Sequence, residues 1–475
     1  MKIPKYLKIQ EDFIRDIENG VYRPGEIIPS DNELMKSLKV SKSTITQALK
    51  SLSDKGYITR QQGRGTFVAE QRRKPAINVF ICPTERREEI FWNEIKDAFN
   101  QGTHSFEVKI SFIYNDLVPL RDTLLKAFAG GMAPDILSLD GPDVPYWAYM
   151  NSIRPLDDFV NEEFKNRFIP HILKQGTYQG KLYHLGYNES TLCILYNKKL
   201  FEKIGIVPPS SIEQAWSWEE FLSICQFIKR KTSIRYPLLM DSGRGLSMTS
   251  GEWVTYSAFP FITQNNGSFF NDACTQATGY LNSKETVEAL EWLGKLFTPY
   301  EYTHILDIHE QFPNDFAMSF SLPNAFFDTI NNNESDNIGI IPLPKHIRSA
   351  SPHGGWGLCM SKQTQYPYEC WEFISYFFSI ENQLKLNKYT GIPVLKILYE
   401  AFNNFNLVSN NTNILFSQLH NSAVTRPITP AYPAFSRLFS TAYINIAKGG
   451  NAQALLDDAA DQVDEHLRRH NYFSQ

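Results

Sequence analysis

The chain has no long apolar segment. None of its 475 residues belongs to a run of about eighteen apolar residues, so the sequence predicts no membrane-spanning helix. The N-terminus is a charged amphipathic stretch without an apolar signal core, which argues against export. We therefore expect a cytoplasmic protein that has no membrane partner.

The sequence also lacks the spacing patterns of disulfide, metal and catalytic sites. Its six cysteines form no C-x-x-C pair and stand near no histidine at zinc-ligand spacing, so buried, reduced thiols are expected. His-Glu-x-x-His, Gly-x-Ser-x-Gly and Walker motifs are all missing. We expect no metal, no cofactor and no enzymatic activity. The cysteines are Cys82, Cys193, Cys225, Cys274, Cys359 and Cys370.

What the chain does have is an uneven distribution of charge. Residues 1–74 carry 15 Lys and Arg against 9 Asp and Glu, a net charge of +6, while the remainder carries 32 against 42, or −10. A basic head on an acidic body fits a phosphate-binding module beside a domain that avoids DNA. The length predicts two or three hydrophobic cores.

The head, residues 1–69, predicts three helices followed by a two-stranded wing. An apolar stripe at helical spacing gives the first helix, which Gly20 ends. Ser30 and Glu33 form a capping box that opens the second helix. Ser41 caps the third, and residues 57–60 and 66–69 alternate like two strands joined by a glycine-rich hairpin. The inward face of the third helix is expected to be Ile45, Ala48, Leu49 and Leu52.

In this order the motifs closely resemble the winged-helix domain of the GntR family of bacterial transcription regulators. The matching residues are Tyr6-x-x-Ile9, Ile17-x-x-Gly20, Pro24-Gly25, Pro29-Ser30, Glu33-Leu34, Val40-Ser41-Lys42-x-Thr44, Ala48-Leu49-x-x-Leu52, Gly56 and Gly63-x-Gly65-Thr66-Phe67-Val68. The resemblance implies a DNA reader whose third helix enters a major groove.

The DNA contacts expected from this resemblance fall on the start of the second helix, the third helix and the wing. Lys42 and Thr46 stand where the family often has Arg, and neither reproduces a bidentate Arg contact, so the operator need not be the family's usual one. Phosphate contacts are expected from Ser41, Lys42 and Thr66, and Arg64 should reach a minor groove. The full set is Ser30, Ser41, Lys42, Ser43, Thr44, Thr46, Gln47, Lys50, Gly63, Arg64, Gly65 and Thr66.

A short polar linker, residues 70–76, separates the head from a body in which strands and helices alternate. The linker spans at most about 25 Å when extended. Residues 77–81, 108–113 and 134–139 are predicted as strands of a parallel α/β sheet, with helices between them. Ligands of such sheets bind beyond the carboxyl ends of strands, so residues 82–86 and 140–143 are candidate ligand loops.

From residue 77 to about 470 the chain looks like a family 1 extracellular solute-binding protein, the receptor of bacterial sugar importers. The landmarks are Ala133-Pro134-Asp135-Ile136, Ile153 to Asp158, Gly180-Lys181-Leu182-Tyr183, Leu195 to Phe201, Gly205, Pro208-Pro209, Ser217 to Phe221, Asn266 to Phe269, Phe316 to Ser319, Ile341 to Pro344, Gly354 to Leu358 and Gly391-Ile392-Pro393. The resemblance implies a two-lobed, type II periplasmic-binding-protein-like α/β domain that closes on its ligand by hinge motion.

We expect lobe 1 at about 77–187 and 345–392, and lobe 2 at about 188–344 and 393–475. Crossings between the lobes are expected near 183–196, 342–356 and 390–400. Sugars in such clefts are held by polar side chains and aromatic faces. The candidate ligand residues are Glu85, Asp140, Asn188, Trp253, Asn324, Trp356 and Tyr432. Each has a plainer alternative: a core aromatic, a helix cap for Asp140, or a solvated helix start for Glu85.

The sequence therefore predicts a homodimeric regulator that binds a DNA operator and responds to a sugar or sugar derivative. Three alternatives remain open. One GntR branch carries an aminotransferase-like domain, but no lysine set for pyridoxal phosphate stands here. The second is a transport receptor, which would need export or a lipid anchor. The third is a DNA binder without a ligand, which the expected cleft argues against.

Overall fold

The architecture comes from a computed structural model that describes residues 5–61, 63–69, 74–83, 87–114, 120–240, 251–304, 312–323, 326, 337–390, 392–404, 410–470 and 472. The chain divides into two compact units, Met1–Asn78 with Glu94–Ile110, and Val79–Asn93 with Ser111–Gln475. In the described part, no helix is long and apolar enough to cross a membrane.

Helices make up most of the ordered structure. In chain order they are α1 Lys5–Glu18, α2 Asp31–Leu38, α3 Lys42–Asp54, α4 Glu88–Asn100, α5 Leu120–Ala129, α6 Val144–Tyr149, α7 Glu162–Lys165, α8 Pro170–Gln175, α9 Lys198–Ile204, α10 Trp218–Lys231, α11 Gly251–Gln264, α12 Lys284–Phe297, α13 Pro367–Phe377, α14 Ile380–Thr390, α15 Lys396–Asn404, α16 Asn410–Asn421, α17 Tyr432–Ala447 and α18 Ala452–His470.

The strands form two larger sheets and three two-stranded ladders. In chain order they are β1 Ile58–Gln61, β2 Gly65–Val68, β3 Ala76–Ile81, β4 Glu107–Phe112, β5 Ile136–Asp140, β6 Ile153–Arg154, β7 Thr177–Tyr178, β8 Lys181–Leu182, β9 His184–Gly186, β10 Cys193–Asn197, β11 Leu238–Leu239, β12 Met318–Ser321, β13 Ile338–Ile341, β14 Ser351–His353, β15 Trp356–Ser361 and β16 Ala423–Thr425.

The head has the winged-helix arrangement that its sequence predicts. The four inward residues of α3 are fully buried in one cluster with residues of α1, α2 and the wing. β1 and β2 pair antiparallel, with Gln61 opposite Gly65. Both glycines of the turn have positive φ, +75° at Gly63 and +115° at Gly65, a backbone state that other residues rarely adopt. The wing hairpin therefore depends on these two glycines.

The six-stranded sheet has the order β4-β3-β5-β15-β6, with β9 also pairing with β15. β3 and β5 are parallel, as the alternating pattern predicts. The whole sheet is mixed, because β15 runs antiparallel to β5, β6 and β9. In α4, Phe91 and Ile95 are buried, whereas Ile90 is exposed.

The four-stranded sheet has the order β11-β12-β10-β13. One large core cluster joins this sheet to α10, α11, α12, α17 and α18. In α11 every residue from Trp253 to Gln264 is buried, so this helix runs through the interior. None of the six cysteines, all of which lie in the described part of the chain, forms a disulfide, and all except the half-buried Cys274 are buried.

The chain passes from the six-stranded to the four-stranded sheet between β9 and β10, and it returns between β13 and β15. β14 lies in the second passage and pairs parallel with β16, with His353 opposite Thr425. Side chains from distant parts of the sequence therefore meet between the two sheets. They belong to the β9–β10 segment, the β13–β15 segment and β16.

Candidate ligand site and DNA-binding surface

The exposed surface of α3 carries most of the predicted DNA contacts. Ser41 caps the helix, since its Oγ accepts the Thr44 amide at 3.3 Å and lies 2.8 Å from the Thr44 hydroxyl. Thr44 is half-buried by this packing. The fully exposed members of the predicted set on and before this helix are Ser41, Lys42, Ser43, Thr46, Gln47 and Lys50. A row of hydroxyl, amide and ammonium groups therefore faces solvent.

Two of the other predicted contacts have competing roles in the head. Ser30 Oγ accepts the Glu33 amide at 3.4 Å and Glu33 Oε2 accepts the Ser30 amide at 2.8 Å, which completes the predicted capping box. Thr66 is buried, and its carbonyl accepts the Ile28 amide, which ties the wing to the helices. At the wing tip Gly63, Arg64 and Gly65 are exposed. Among the predicted contacts, Thr66 is the one that the fold leaves least accessible.

In the body, a buried arginine joins one carboxylate at the end of a strand of the six-stranded sheet to another on a helix that packs against the four-stranded sheet. Arg426, directly after β16, donates Nη1 and Nη2 to the two oxygens of Asp140 at 2.7 Å each. Its Nη1 also contacts Glu252 Oε1 at 2.5 Å. Asp140 ends β5 of the six-stranded sheet, and Glu252 begins α11, which packs on the four-stranded sheet. We name Asp140, Glu252 and Arg426 the Arg426 cluster.

Two tyrosines surround the Arg426 cluster. The guanidinium carbon of Arg426 lies 5.1 Å from the centroid of the Tyr256 ring, within the range of a cation–π contact. The Tyr432 hydroxyl donates to Glu252 Oε1 at 2.9 Å. Charged groups, hydroxyls and aromatic faces therefore lie together in a small volume, a combination suited to a polar ligand.

Burial and neighbouring charges act in opposite directions on the pKa values of Arg426 and Glu252. Burial would lower the pKa of Arg426, but the carboxylates of Asp140 and Glu252 raise it, so the guanidinium stays charged. Desolvation raises the pKa of Glu252 to about 7, although Arg426 acts in the opposite direction. Because this carboxyl titrates near neutrality, a ligand that donates or accepts hydrogen bonds there can alter the charge of the cluster.

Three of the predicted ligand residues come together beside the cluster. Trp356 is the first residue of β15 and lies opposite Asp140, the last residue of β5. Both residues therefore lie at the same end of these two paired strands. Asn188 Oδ1 accepts the Trp356 amide at 2.6 Å, which secures the start of β15. Trp356 is half-buried, whereas Asn188 is buried. Tyr432 joins this group through Glu252.

Of the remaining predicted ligand residues, Trp253 lies in the described part of the chain and contacts neither Asp140 nor Arg426 there. Trp253 is buried in the large core, and its indole N–H donates to the Met240 carbonyl at 3.3 Å, so the structure gives it a packing role. Glu85 and Asn324 lie outside the described residues.

Sequence reasoning missed Arg426, Glu252 and Tyr256 as site residues. Glu252 carried a usable signal, because it is the one charged residue in the otherwise apolar or uncharged stretch of α11. Arg426 stands between a threonine and a proline with no neighbouring charge. Its importance depends on two carboxylates 286 and 174 positions away in the sequence, which no local pattern indicates.

A second buried cluster consists of His171, Glu189 and His353. One nitrogen or oxygen from each side chain lies within 4.8 Å of the others, and the set could hold a metal ion. His171 belongs to α8, Glu189 lies between β9 and β10, and His353 ends β14.

Two protein families match separate parts of the chain. The bacterial regulatory proteins of the gntR family match residues 5–68. The family described as bacterial extracellular solute-binding protein matches residues 94–400, more than half of the chain. Neither family is enzymatic.

Individual relatives follow the same division. A protein of Brucella abortus named only as a binding protein is 24% identical over 399 residues, 80% of this chain and 90% of its own length. The histidine utilization repressor of Pseudomonas aeruginosa is 30% identical over 173 residues, 33% of this chain and 68% of its own length.

A solved structure shares the fold of the body. The solute-binding protein of an ABC transporter from Thermotoga lettingae, bound with alpha-D-tagatose, has a TM-score of 0.71 and 20% identity and covers 83% of this chain and 100% of its own. The chain therefore belongs to the bacterial extracellular solute-binding protein family and carries a GntR-family winged-helix domain at its head.

Proposed function

We propose that the protein is a cytoplasmic transcription regulator that binds DNA through its winged helices and responds to a carbohydrate bound at the Arg426 cluster. It controls genes of carbohydrate uptake or use, acts as a homodimer, and catalyses no reaction. The observation that carries the proposal is the buried Arg426 cluster, which joins the two sheets of a solute-binding fold through charged groups.

The chemistry of the cluster supports a polyhydroxylated ligand. Carboxylates accept hydrogen bonds from sugar hydroxyls, and a guanidinium donates to them in a fixed planar geometry. Tyr256 and Trp356 add flat apolar faces of the kind against which sugar rings pack. The tagatose complex of the Thermotoga lettingae protein supports the same ligand class for this fold.

The ligand would act by changing the relative position of the two sheets. Asp140 moves with one sheet and Glu252 with the other, so a ligand that replaces part of their contact with Arg426 alters the balance between open and closed forms. In a dimer such a change would alter the spacing of the two recognition helices, and two half-sites fit only one spacing. A coupling free energy of about 1–3 kcal/mol is sufficient for a several-fold change in operator occupancy.

The direct test is a thermal-shift screen of the full chain against mono- and oligosaccharides. A binding sugar at free concentration L stabilises the folded protein by RT ln(1 + L/Kd), so the melting temperature rises with the logarithm of the sugar concentration once that exceeds the dissociation constant. The best sugar is then titrated by calorimetry into wild type, Asp140→Asn and Glu252→Gln. Both variants should weaken binding about tenfold or more, because each loses a charged hydrogen-bond acceptor.

The matched control is Glu288→Gln, which makes the same chemical change on α12 at a carboxylate that contacts Lys284 and Asn265 and no member of the Arg426 cluster in the described residues. It should bind the sugar with wild-type affinity. Wild-type affinity in Asp140→Asn and Glu252→Gln would show that the sugar binds elsewhere. A screen in which no carbohydrate stabilises the protein would rule out the ligand class.

A further inference from the structure

We infer that His171, Glu189 and His353 form a binding site for one divalent transition-metal ion of the Zn²⁺ type, between the two sheets and separate from the Arg426 cluster. The site does not depend on the proposed sugar response. It rests on the convergence of three donor atoms, on their lack of other partners, and on access from a cavity.

The three donor atoms converge at a spacing that suits a metal. His171 Nε2 lies 2.7 Å from Glu189 Oε2, and His353 Nδ1 lies 4.0 Å from the same oxygen. Tetrahedral Zn²⁺ holds nitrogen and oxygen ligands at about 2.0–2.2 Å, which places its ligands about 3.3 Å from one another. The observed distances lie on either side of that value, so small side-chain adjustments suffice.

Within the described part of the chain, these three atoms have no partner outside the cluster. His171 Nε2 and Glu189 Oε2 pair with each other at 2.7 Å, while His353 Nδ1 lies 4.0 Å from the same oxygen and is buried without a hydrogen-bond partner. Buried polar atoms are nearly always satisfied, and a metal ion bound by all three atoms would also satisfy His353 Nδ1.

The other polar atoms of the cluster are engaged in ways that orient the ligands. Glu189 Oε1 accepts the amides of Gly354 at 2.6 Å and Ser190 at 2.9 Å, so only Oε2 is left for the site. His353 Nε2 lies 2.8 Å from the Thr425 hydroxyl. When Nε2 donates that hydrogen bond, Nδ1 presents its lone pair to the site. Such outer hydrogen bonds to metal-binding side chains are typical of protein metal sites.

The chemistry of the donor set also fits a metal ion. Two imidazoles with one carboxylate match the ligand set of many open zinc sites.

A cavity gives the site a route of entry. His171 lines a cavity of about 370 Å³ together with Lys174, Tyr399 and His420. Glu189 and His353 do not line this cavity, so an ion that enters it meets the site at His171. His171 is also the only half-exposed member of the cluster, since Glu189 and His353 are buried.

The test is calorimetric titration of Zn²⁺ into the full chain after chelator treatment, followed by Co²⁺ as a spectroscopic probe. We expect one tight site per chain and the intense visible absorption of four-coordinate Co²⁺. His171→Gln, Glu189→Gln and His353→Gln should each weaken Zn²⁺ binding by about 100-fold or more, since loss of an outer hydrogen bond alone costs about 10–100-fold.

The control is His470→Gln. His466 and His470 are one helical turn apart on α18, with ring centroids 4.3 Å apart, and are a second place where Zn²⁺ could bind. Tight binding should survive this change. His171→Gln alters a half-exposed side chain and should stay folded by circular dichroism. No tight Zn²⁺ site in the wild type, or a site lost only in His470→Gln, would overturn the inference. Sugar binding tests the proposed function separately.

Discussion

Replacement of Arg426 by glutamine tests how the two sheets are held together. Arg426→Gln keeps a polar side chain but removes the charge that both carboxylates contact. The Arg426 side chain is 2% exposed, while Asp140 and Glu252 retain 16% and 38% of their side-chain exposure. Removal of one partner of a buried ion pair costs about 3–5 kcal/mol, because the other charge is left buried. Since both carboxylates keep some solvent access, we expect the lower end, about 3 kcal/mol.

The assay is urea unfolding followed by tryptophan fluorescence at pH 8, where the Glu252 carboxyl, whose pKa is raised to about 7, is mostly ionised. All eight tryptophans lie after residue 76, so the signal reports on the body and not on the head. The free energy of unfolding of Arg426→Gln is compared with that of wild type.

A triple variant separates charge from packing. Arg426→Gln, Asp140→Asn and Glu252→Gln together leave no unpaired carboxylate, so stability should recover by about 1–2 kcal/mol relative to the single variant. A triple variant as unstable as Arg426→Gln would refute the reasoning. The loss would then come from the packing of the arginine side chain and not from stranded charges.

Three further predictions concern other parts of the molecule. Lys42→Ala should weaken DNA binding to all sequences alike and reduce the slope of log affinity against log salt by about one, as measured by fluorescence anisotropy; an unchanged slope would mean that Lys42 contacts no phosphate. Trp356→Ala should weaken sugar binding in calorimetry, and unchanged affinity would remove this side chain from the site. Burial lowers the pKa of His184 to about 4, below the ordinary 6.5. As the pH falls, His184 therefore takes up its proton at a higher pH in the unfolded chain than in the folded protein. Stability should therefore decrease from pH 6.5 to 4 by about 1.4 kcal/mol per unit, and His184→Asn should lack that part of the urea-unfolding profile; a variant with the wild-type pH profile would contradict this.

Local sequence patterns were sufficient for the head. Its helices, capping box and wing turn are set by residues a few positions apart, such as Ser30 with Glu33 and Gly63 with Gly65. Strand β5 and the placement of Asp140 at its end followed from a short apolar run. Periodicity and turn chemistry act over that range, so the sequence carries this information directly.

Local sequence patterns could not predict the direction of β15 or which residues form the candidate site. The chain reaches β15 from the four-stranded sheet, and β15 pairs antiparallel with β5. This direction depends on the path of the roughly 200 residues between the two strands. The sequence analysis named Asp140 and Trp356, which stand beside motifs, as candidate ligand residues, but it did not name Arg426 or Glu252, which the structure places beside them. Local sequence could not predict the cluster of His171, Glu189 and His353 for the same reason. These residues come close together only when β14, α8 and the β9–β10 segment meet in the fold.

The central claim is that a sugar bound in the body changes how the head binds DNA. The most direct measurement is fluorescence anisotropy of a labelled duplex, chosen by selection from random sequences, titrated with the full chain with and without a saturating concentration of the sugar found by thermal shift. The account predicts that the sugar changes the dissociation constant for DNA by about fivefold or more. It also predicts that Glu252→Gln abolishes this change at the same sugar concentration. An identical dissociation constant in the presence and absence of a sugar that demonstrably binds would contradict it.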